Sequence, residues 1–319
     1  MSIIDDLMGK ARGAGGRVVL PEGGDVRVVA AARQLVAEDL AQPILFGAEG
    51  NPGEGISSVT PESDARFDAY VAELAATSKH NGEEAAALLR DPLYFAGMMV
   101  RMGDAEGLVA GAANPTADVL RAGLKTVGLA EGIRRMSSFF LMVVPDVAGS
   151  GPRSFIFADC AVNIDPGPED LADIAIASAN TAATWLGETP RVAMLSFSSR
   201  GSAKHEHIEK VAEAVAIAKQ RAPELAIDGE FQLDTAIVPS VAQRKVPDGS
   251  AVAGQANVLI FPDLDAANIG YKLTQYMGNA QAIGPFLQGF AKPVCDLSRG
   301  ASVEDIFSAS AITLAMGSD

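Results

Sequence analysis

Cysteine is scarce in this chain. Only Cys160 and Cys295 occur in 319 residues. Two thiols cannot build a disulfide framework, so the fold must close on its hydrophobic core, and a reducing, cytoplasmic setting is expected. Histidine occurs three times and tryptophan once. His205 and His207 stand two apart, so on a helix they point from different faces and cannot chelate one metal. No run of 18 apolar residues free of charge is present, and the first twenty residues hold no signal-type apolar core. Neither a membrane span nor secretion is therefore expected. Basic residues are outnumbered, 25 Lys and Arg against 40 Asp and Glu, for a net charge of −15. That balance argues against a nucleic-acid partner, whose phosphates need a basic surface. It leaves room for a small anionic substrate in a local basic pocket. Neither GxGxxG nor a Walker A pattern occurs, so dinucleotide and P-loop chemistry have no support.

What is present is core material and regular alternation. Hydrophobic residues make up 48% and charged residues 20% of the chain, the composition of a globular protein long enough for two domains. Apolar, β-rich runs read as strands at 17–22, 43–47, 107–111, 137–144, 154–160, 191–197, 226–230 and 257–262. Helical patterns lie between them: 25–37, 61–77, 83–102, 116–125, 168–186, 202–222, 234–243, 265–277 and 302–315. The run IGPFLQG (283–289) reads as strand plus loop, and GAEGNPGEGISSVT (47–60) as a flexible loop. Strands alternating with helices predict the α/β class, with mostly parallel sheet covered on both faces. Cys160 falls in an apolar strand run and is expected to be buried.

Four segments carry candidate chemistry. In CDLSRGASVEDI (295–306) a hydroxyl, a guanidinium and a carboxylate lie close together: Ser298, Arg299 and Asp305. Arg299 and Gly300 read as the end of a tight turn, and Ser302 as the N-cap of the last helix. A cation, a hydroxyl and a helix N-terminus suit a small phosphorylated anion. A carboxylate beside it would repel that anion, unless its task is to take a proton from a nucleophile. The structural alternative is a capping box, with Asp305 at N3 reaching back to the Ser302 amide. The loop SFSSRGSAKHE (196–206) follows an apolar strand. Its Ser198, Ser199, Gly201 and Ser202 read either as a phosphate cradle at a helix start near Ser202 or as an ordinary strand-to-helix loop. Arg121 follows the loop GAANPT, and Arg27 lies in EGGDVRV. Each reads by itself as a helix-surface arginine.

The ordered set of VVLPEGGDVRVVAAA (18–32), DPLYFAGMMVRMGDAEGLVAGAANPTADVLRAG (91–123), SSFFLMVVPD (137–146), FADCAVN (157–163), RVAMLSFSSRGSAKHE (191–206), AIDGEFQLDTAIVP (226–239) and KPVCDLSRGASVEDI (292–306) resembles the phosphotransacetylases over nearly the whole chain. The resemblance implies two α/β domains around an interdomain cleft, the second inserted into the first. Its limits are set at 1–144 plus 297–319 for domain I and 145–296 for domain II. It implies reversible transfer of an acetyl group between acetyl phosphate and coenzyme A, by direct thiolate attack in a ternary complex. Asp305 would be the base toward the CoA thiol, with Ser298 and Arg299 binding and polarising the reacting group. Arg121 and Arg27 match cleft arginines of the family, and the 198–202 loop would bind substrate. Coenzyme A, acetyl phosphate and phosphate are substrates, and no permanently bound cofactor or metal is implied. A cytoplasmic homodimer is expected. The alternatives are a phosphate butyryltransferase-like enzyme preferring longer acyl chains, and a non-catalytic acyl-CoA-sensing domain. The chain departs from the family pattern at LAATSKHNG (74–82), which lacks an arginine usual there, and at GAANPTAD, where Asn114 and Pro115 replace a histidine and a hydroxyl residue.

Overall fold

The structure is a computed structural model. It describes residues 3–316 apart from 49 and 132, and the side chains of these apart from 4, 5, 13 and 14. The chain divides into two compact units, residues 1–134 with 284–319, and residues 135–283. The sequence reading drew these limits at 144 and 296. Two strands draw them elsewhere. Phe139–Val144 pairs with Arg153–Ala158 of the second unit, and Val294–Asp296 pairs with Leu108–Ala110 of the first.

The first unit holds α1 (Ile3–Ala14), β1 (Arg17–Leu20), α2 (Val26–Ala37), β2 (Gln42–Phe46), β3 (Ser57–Val59), α3 (Phe67–Thr77), α4 (Gly82–Leu89), α5 (Pro92–Met102), β4 (Gly107–Ala110) and α6 (Thr116–Thr126). The second holds β5 (Ser137–Val144), β6 (Arg153–Ala158), α7 (Pro168–Trp185), β7 (Arg191–Leu195), α8 (Glu206–Arg221), β8 (Ala226–Phe231), α9 (Leu233–Ile237), α10 (Pro239–Lys245), β9 (Val258–Ile260) and α11 (Leu264–Met277). The strand β10 (Gln281–Gln288) carries the chain back into the first unit, which β11 (Val294–Asp296) and α12 (Val303–Met316) complete.

Proline and its caps set the breaks that periodicity alone missed. The predicted helix 83–102 is two helices, because Asp91 caps a new one at Pro92 by accepting the Leu93 amide at 2.8 Å. Pro239 similarly splits 234–243 into α9 and α10. The loop read over 47–60 contains the short strand β3, paired in parallel with β2. The predicted helix start near Ser202 is displaced to Glu206, with His205 as its N-cap.

In the first unit the strand order is β3-β2-β1-β4-β11-β10, parallel throughout except for β10 against β11. The chain runs from β1 outward to β2 and β3, then returns to place β4 on the other side of β1. The loops after β1 and β4 therefore part company at the carboxyl ends of their strands. Such a reversal of strand order is where open α/β sheets bind ligands. In the second unit the order is β5-β6-β9-β7-β8, and the same reversal falls between β7 and β9.

The core of the first unit is built on α12. Residues Ile306 to Ala315 are all buried, as expected of FSASAITLAM, a run without charge after Asp305. Against it lie α1 and α2 and, on the sheet side, β1, β4 and β11. Burying Ile306, Phe307, Ile312 and Leu314 contributes roughly 1.5–3 kcal/mol each. Because α12 is anchored so firmly, the turn that leads into it has a fixed end.

Helices α5 and α6 approach so closely that Gly97 admits no side chain: a Cβ there would lie 2.9 Å from Thr126 Cβ. Gly97→Ala is expected to destabilise the protein by about 1–3 kcal/mol through overpacking. Urea unfolding checks it, and an unchanged midpoint contradicts the tight α5–α6 contact.

Candidate active site

The carboxyl ends of β1, β4 and β11 carry the first unit's candidate site. Its organising group is Glu22, which is buried and which the sequence reading did not single out. Its carboxylate accepts the backbone amides of Gly111, Ala112, Ala113 and Asn114 at 2.7–3.1 Å, and the Asn114 side-chain amide at 2.8 Å. Four successive N–H groups converge on one anion because Gly111 turns the chain with φ +108°. A Cβ at that position would meet Asp296 Oδ1 at 2.5 Å and the Leu297 amide nitrogen at 2.6 Å. Only glycine fits there.

Arg27 ties this loop to the next. Its guanidinium donates to the carbonyls of Ala112 (2.9 Å), Arg299 (2.9 Å) and Ala301 (2.8 Å), and pairs with Asp25 at 2.7 Å. The Asp25 side chain also caps α2 by accepting the Arg27 amide. The Arg27 hydrogen bond, followed by an opposing burial cost, holds the Asp25 carboxyl below its usual range. The cleft arginine expected from the resemblance is thus a backbone clamp with its donors turned onto three carbonyls.

Ser298, Arg299, Gly300 and Asp305 are all exposed. Ser298 Oγ accepts the Gly300 amide at 3.2 Å, and Ala301 N–H donates to the Ser298 carbonyl at 2.9 Å. The Arg299 guanidinium has no hydrogen-bond or ion-pair partner among the described residues, unlike Arg27. Asp305 is in the capping box: its Oδ2 accepts from the Ser302 amide (2.8 Å) and hydroxyl (2.7 Å), and its own amide donates to Ser302 Oγ (3.1 Å). This is the geometry of the structural alternative. It leaves Asp305 Oδ1 without a protein donor among the described residues. Arg121 is exposed on α6 and pairs with Asp118 at 2.5 Å, one turn earlier.

Asp296, the last residue of β11, was also overlooked. It is 1% exposed. Thr116 Oγ1 donates to its Oδ2 at 2.6 Å, while Oδ1 is buried without a partner among the described residues. Burial pushes its carboxyl up to about 7; the Thr116 hydrogen bond opposes this, and the charge of Glu22 adds to it.

The second unit's loop after β7 uses its serines internally. Ser198 and Ser199 are buried. Ser198 Oγ donates to Glu230 Oε1 (2.8 Å), which also accepts the Gly201 amide (2.7 Å). Ser199 Oγ accepts the Gln232 amide (2.9 Å) and bonds Thr235 Oγ1 (2.9 Å), and Ser202 Oγ accepts the Ser199 amide (3.1 Å). The predicted phosphate cradle is thus folded around a protein carboxylate, and with α8 starting at Glu206, Ser202 does not head a helix. Both cysteines are buried, and burial pushes their thiols well up. Among the described residues no cluster of His, Cys, Asp and Glu is placed to hold a metal ion. The nine predicted site residues fall into two groups, five in the first unit and four in the second.

The Asp296 carboxyl titrates at about 3.9 when unfolded and about 7 when folded. A raised folded value means that the stability tied to this proton is complete below pH 4 and is lost as pH rises to 7. At 1.36 kcal/mol per unit over about three units, that is on the order of 4 kcal/mol. Asp296→Asn, which cannot ionise, is therefore expected to gain on the wild type steadily from pH 4 to pH 7 in urea unfolding. A difference independent of pH contradicts the assignment.

The family profile described as "Phosphate acetyl/butaryl transferase" matches residues 2–314. The phosphate acetyltransferase of Thermoanaerobacterium thermosaccharolyticum is 48% identical to this chain over 98% of each. That of Clostridium acetobutylicum is 45% identical, again over 98% of each. Among solved structures, a phosphotransacetylase from Streptococcus pyogenes superposes with a TM-score of 0.89 at 43% identity, covering 99% of both chains. On the match of nearly its whole length and on these identities, the chain belongs to the phosphate acetyl/butaryl transferase family.

Proposed function

We propose that the protein is a phosphate acetyltransferase, moving an acetyl group reversibly between acetyl phosphate and coenzyme A. Family membership and relatives of that name at 45–48% identity support the reading. The observation that carries it to particular residues is the turn entering α12. There Arg299 is an exposed cation with no protein partner among the described residues, and an exposed hydroxyl and carboxylate, Ser298 and Asp305, lie within seven positions of it. In a protein of net charge −15, an arginine left uncompensated marks a place for an anion.

The chemistry follows from what a thioester exchange requires. The thiolate is the nucleophile, and a free thiol titrates at about 8.5. A carboxylate is a weak base toward such a thiol, so Asp305 works together with Arg299, whose charge favours the thiolate. Asp305 Oδ2 is held by Ser302, which leaves Oδ1 of this exposed carboxylate to take the proton. The cap and the base are therefore two faces of one carboxylate. Attack on acetyl phosphate builds negative charge on the carbonyl oxygen. The Ser298 hydroxyl and the Arg299 guanidinium stabilise it, one such donor being worth roughly 3–4 kcal/mol. Collapse expels phosphate, whose charge Arg299 also meets. The transfer is direct when both substrates are aligned. Arg121 serves the substrate's anionic end by exchanging Asp118 for it. Ser198, Ser199, Gly201 and Ser202 act as a rigid substrate-binding wall, held by Glu230 at Ser198 and Gly201 and by Thr235 and Gln232 at Ser199. Arg27 binds substrate only indirectly, by holding the Arg299 and Ala301 carbonyls. A homodimer in the cytoplasm belongs to this reading on the family resemblance, and sedimentation tests its stoichiometry.

An assay of acetyl phosphate with coenzyme A, following thioester absorbance, tests the activity. Asp305→Asn keeps an acceptor oxygen for the cap and removes the base. Turnover is expected to fall by about 10²-fold or more, with the melting temperature little changed. Ser302→Ala removes the cap at about 1 kcal/mol of stability and keeps turnover within about tenfold. Arg299→Lys retains charge without the fork and does not restore full activity. Wild-type turnover in Asp305→Asn would return that residue to a purely structural role.

A further inference from the structure

The groups that join the loop after β4 to the turn after β11 are unequal in kind. Leu297 N–H donates to the Ala110 carbonyl at 2.6 Å, continuing the pairing of β11 with β4. The Arg27 guanidinium spans the carbonyls of Ala112, Arg299 and Ala301. The third join is made between side chains, buried Asp296 and half-buried Thr116. Asp296 Oδ2 receives the Thr116 hydroxyl at 2.6 Å, and Oδ1 is packed where a Cβ on Gly111 would touch it at 2.5 Å. Thr116 is the first residue of α6, the helix that carries Arg121, and Asp296 stands two residues before Ser298.

An acid at this position is costly as a mere filler. It is 1% exposed, has one hydrogen-bond donor, leaves one oxygen buried without a partner among the described residues, and lies in the field of Glu22. An apolar residue of similar shape would be cheaper in a core. What the acid supplies is a directed bond to the first turn of α6. The α6 N-cap position is Pro115, which makes no side-chain cap bond. The helix start is therefore held from the neighbouring strand β11 rather than by its own cap.

We propose that Asp296 is a positioning residue for acyl transfer: its bond to Thr116 locks the Ser298–Arg299 turn to the start of α6, so that Ser298, Arg299 and Arg121 are held as one rigid set. The proposal rests on the reading of Ser298 and Arg299 as the residues that meet the reacting group. A lock of this kind acts on alignment in the transition state, where a misplacement of about 1 Å costs on the order of 10²-fold, more than on ground-state binding.

Amide hydrogen exchange and steady-state kinetics test the two halves separately. Thr116→Val keeps the shape of the side chain and removes the donor. Its Leu297, Ala301 and Ala112 amides are expected to exchange at least fivefold faster than in the wild type, while the Val19 amide of β1 is unchanged. In acetyl transfer, Thr116→Val and Asp296→Ala are each expected to lose at least tenfold in kcat with the KM for coenzyme A within threefold. The double variant should be no slower than Asp296→Ala, since both remove one bond. Asp296→Asn, which still accepts from Thr116, should stay within threefold of wild-type kcat. Unchanged exchange in Thr116→Val, additive losses in the double variant, or an Asn variant as slow as the Ala variant would each overturn the lock. Should Asp296→Ala fail to fold, Thr116→Val alone decides through the same exchange and kcat readouts. A wild-type protein that makes no acetyl-CoA would refute the proposed function instead, and the exchange data would still decide whether the lock exists.

Discussion

The candidate site in the first unit depends on one buried carboxyl group. Glu22 sits at the end of β1 and gathers four consecutive amides from the loop after β4. Removed from water, those amides would each be left unsatisfied at about 1–3 kcal/mol, and so would the carboxylate. Each side therefore compels the other, and the reversal of strand order between β1 and β4 is held closed at the end where the loops would otherwise diverge. The second unit repeats the device. Asp159, after β6, accepts the amides of Ser138, Ala161, Val162 and Asn163, and Glu230 accepts Ser198 and Gly201 after β7. A buried carboxylate used as the hub of a strand-end loop gives rigidity where loops usually have little.

The arginines divide by whether they are answered. Arg27 is neutralised by Asp25 and spends its donors on carbonyls, so its charge is internal to the scaffold. Arg121 is answered by Asp118 at a solvent-exposed position, where an ion pair is worth about 0–1 kcal/mol and gives way readily. Among the described residues Arg299 has no such partner. On the proposed function, the gradient from clamp to exchangeable pair to a cation unpaired among the described residues orders the three by their readiness to meet a substrate anion. Such a cation is what a strongly acidic protein would then offer a phosphorylated substrate.

Much of the fold was legible in the sequence because its strands are continuous apolar runs and its helices alternate with them. β5 was read at its observed limits, and the α/β class followed from the alternation. What was missed has physical causes. β3 (SSV) and β11 (VCD) are three residues long and mostly polar or mixed, without the continuous apolar run that made the equally short β9 legible. The breaks at Pro92 and Pro239 were written in proline but overruled by the apolar pattern around them. Ser298, Arg299 and Asp305 stood together by spacing in CDLSRGASVEDI, and Arg27 and Arg121 joined them only through the family resemblance. On spacing alone the capping reading of Asp305 stood, and the capping contacts are indeed formed. Glu22 and Asp296 gave no signal beyond being acids beside strand ends. Their importance comes from burial, which a linear sequence does not display, although PEGG and CDLSRG each place an acid beside a glycine turn.

The account holds that acetyl passes from phosphate to coenzyme A without resting on the protein. The burial of both cysteines argues against a cysteine acyl-enzyme, since burial disfavours the thiolate it would need. Intact-mass measurement of the protein mixed with acetyl phosphate in the absence of coenzyme A tests it most directly. The account predicts an unmodified mass. A stoichiometric acetyl adduct that disappears when coenzyme A is added would contradict it.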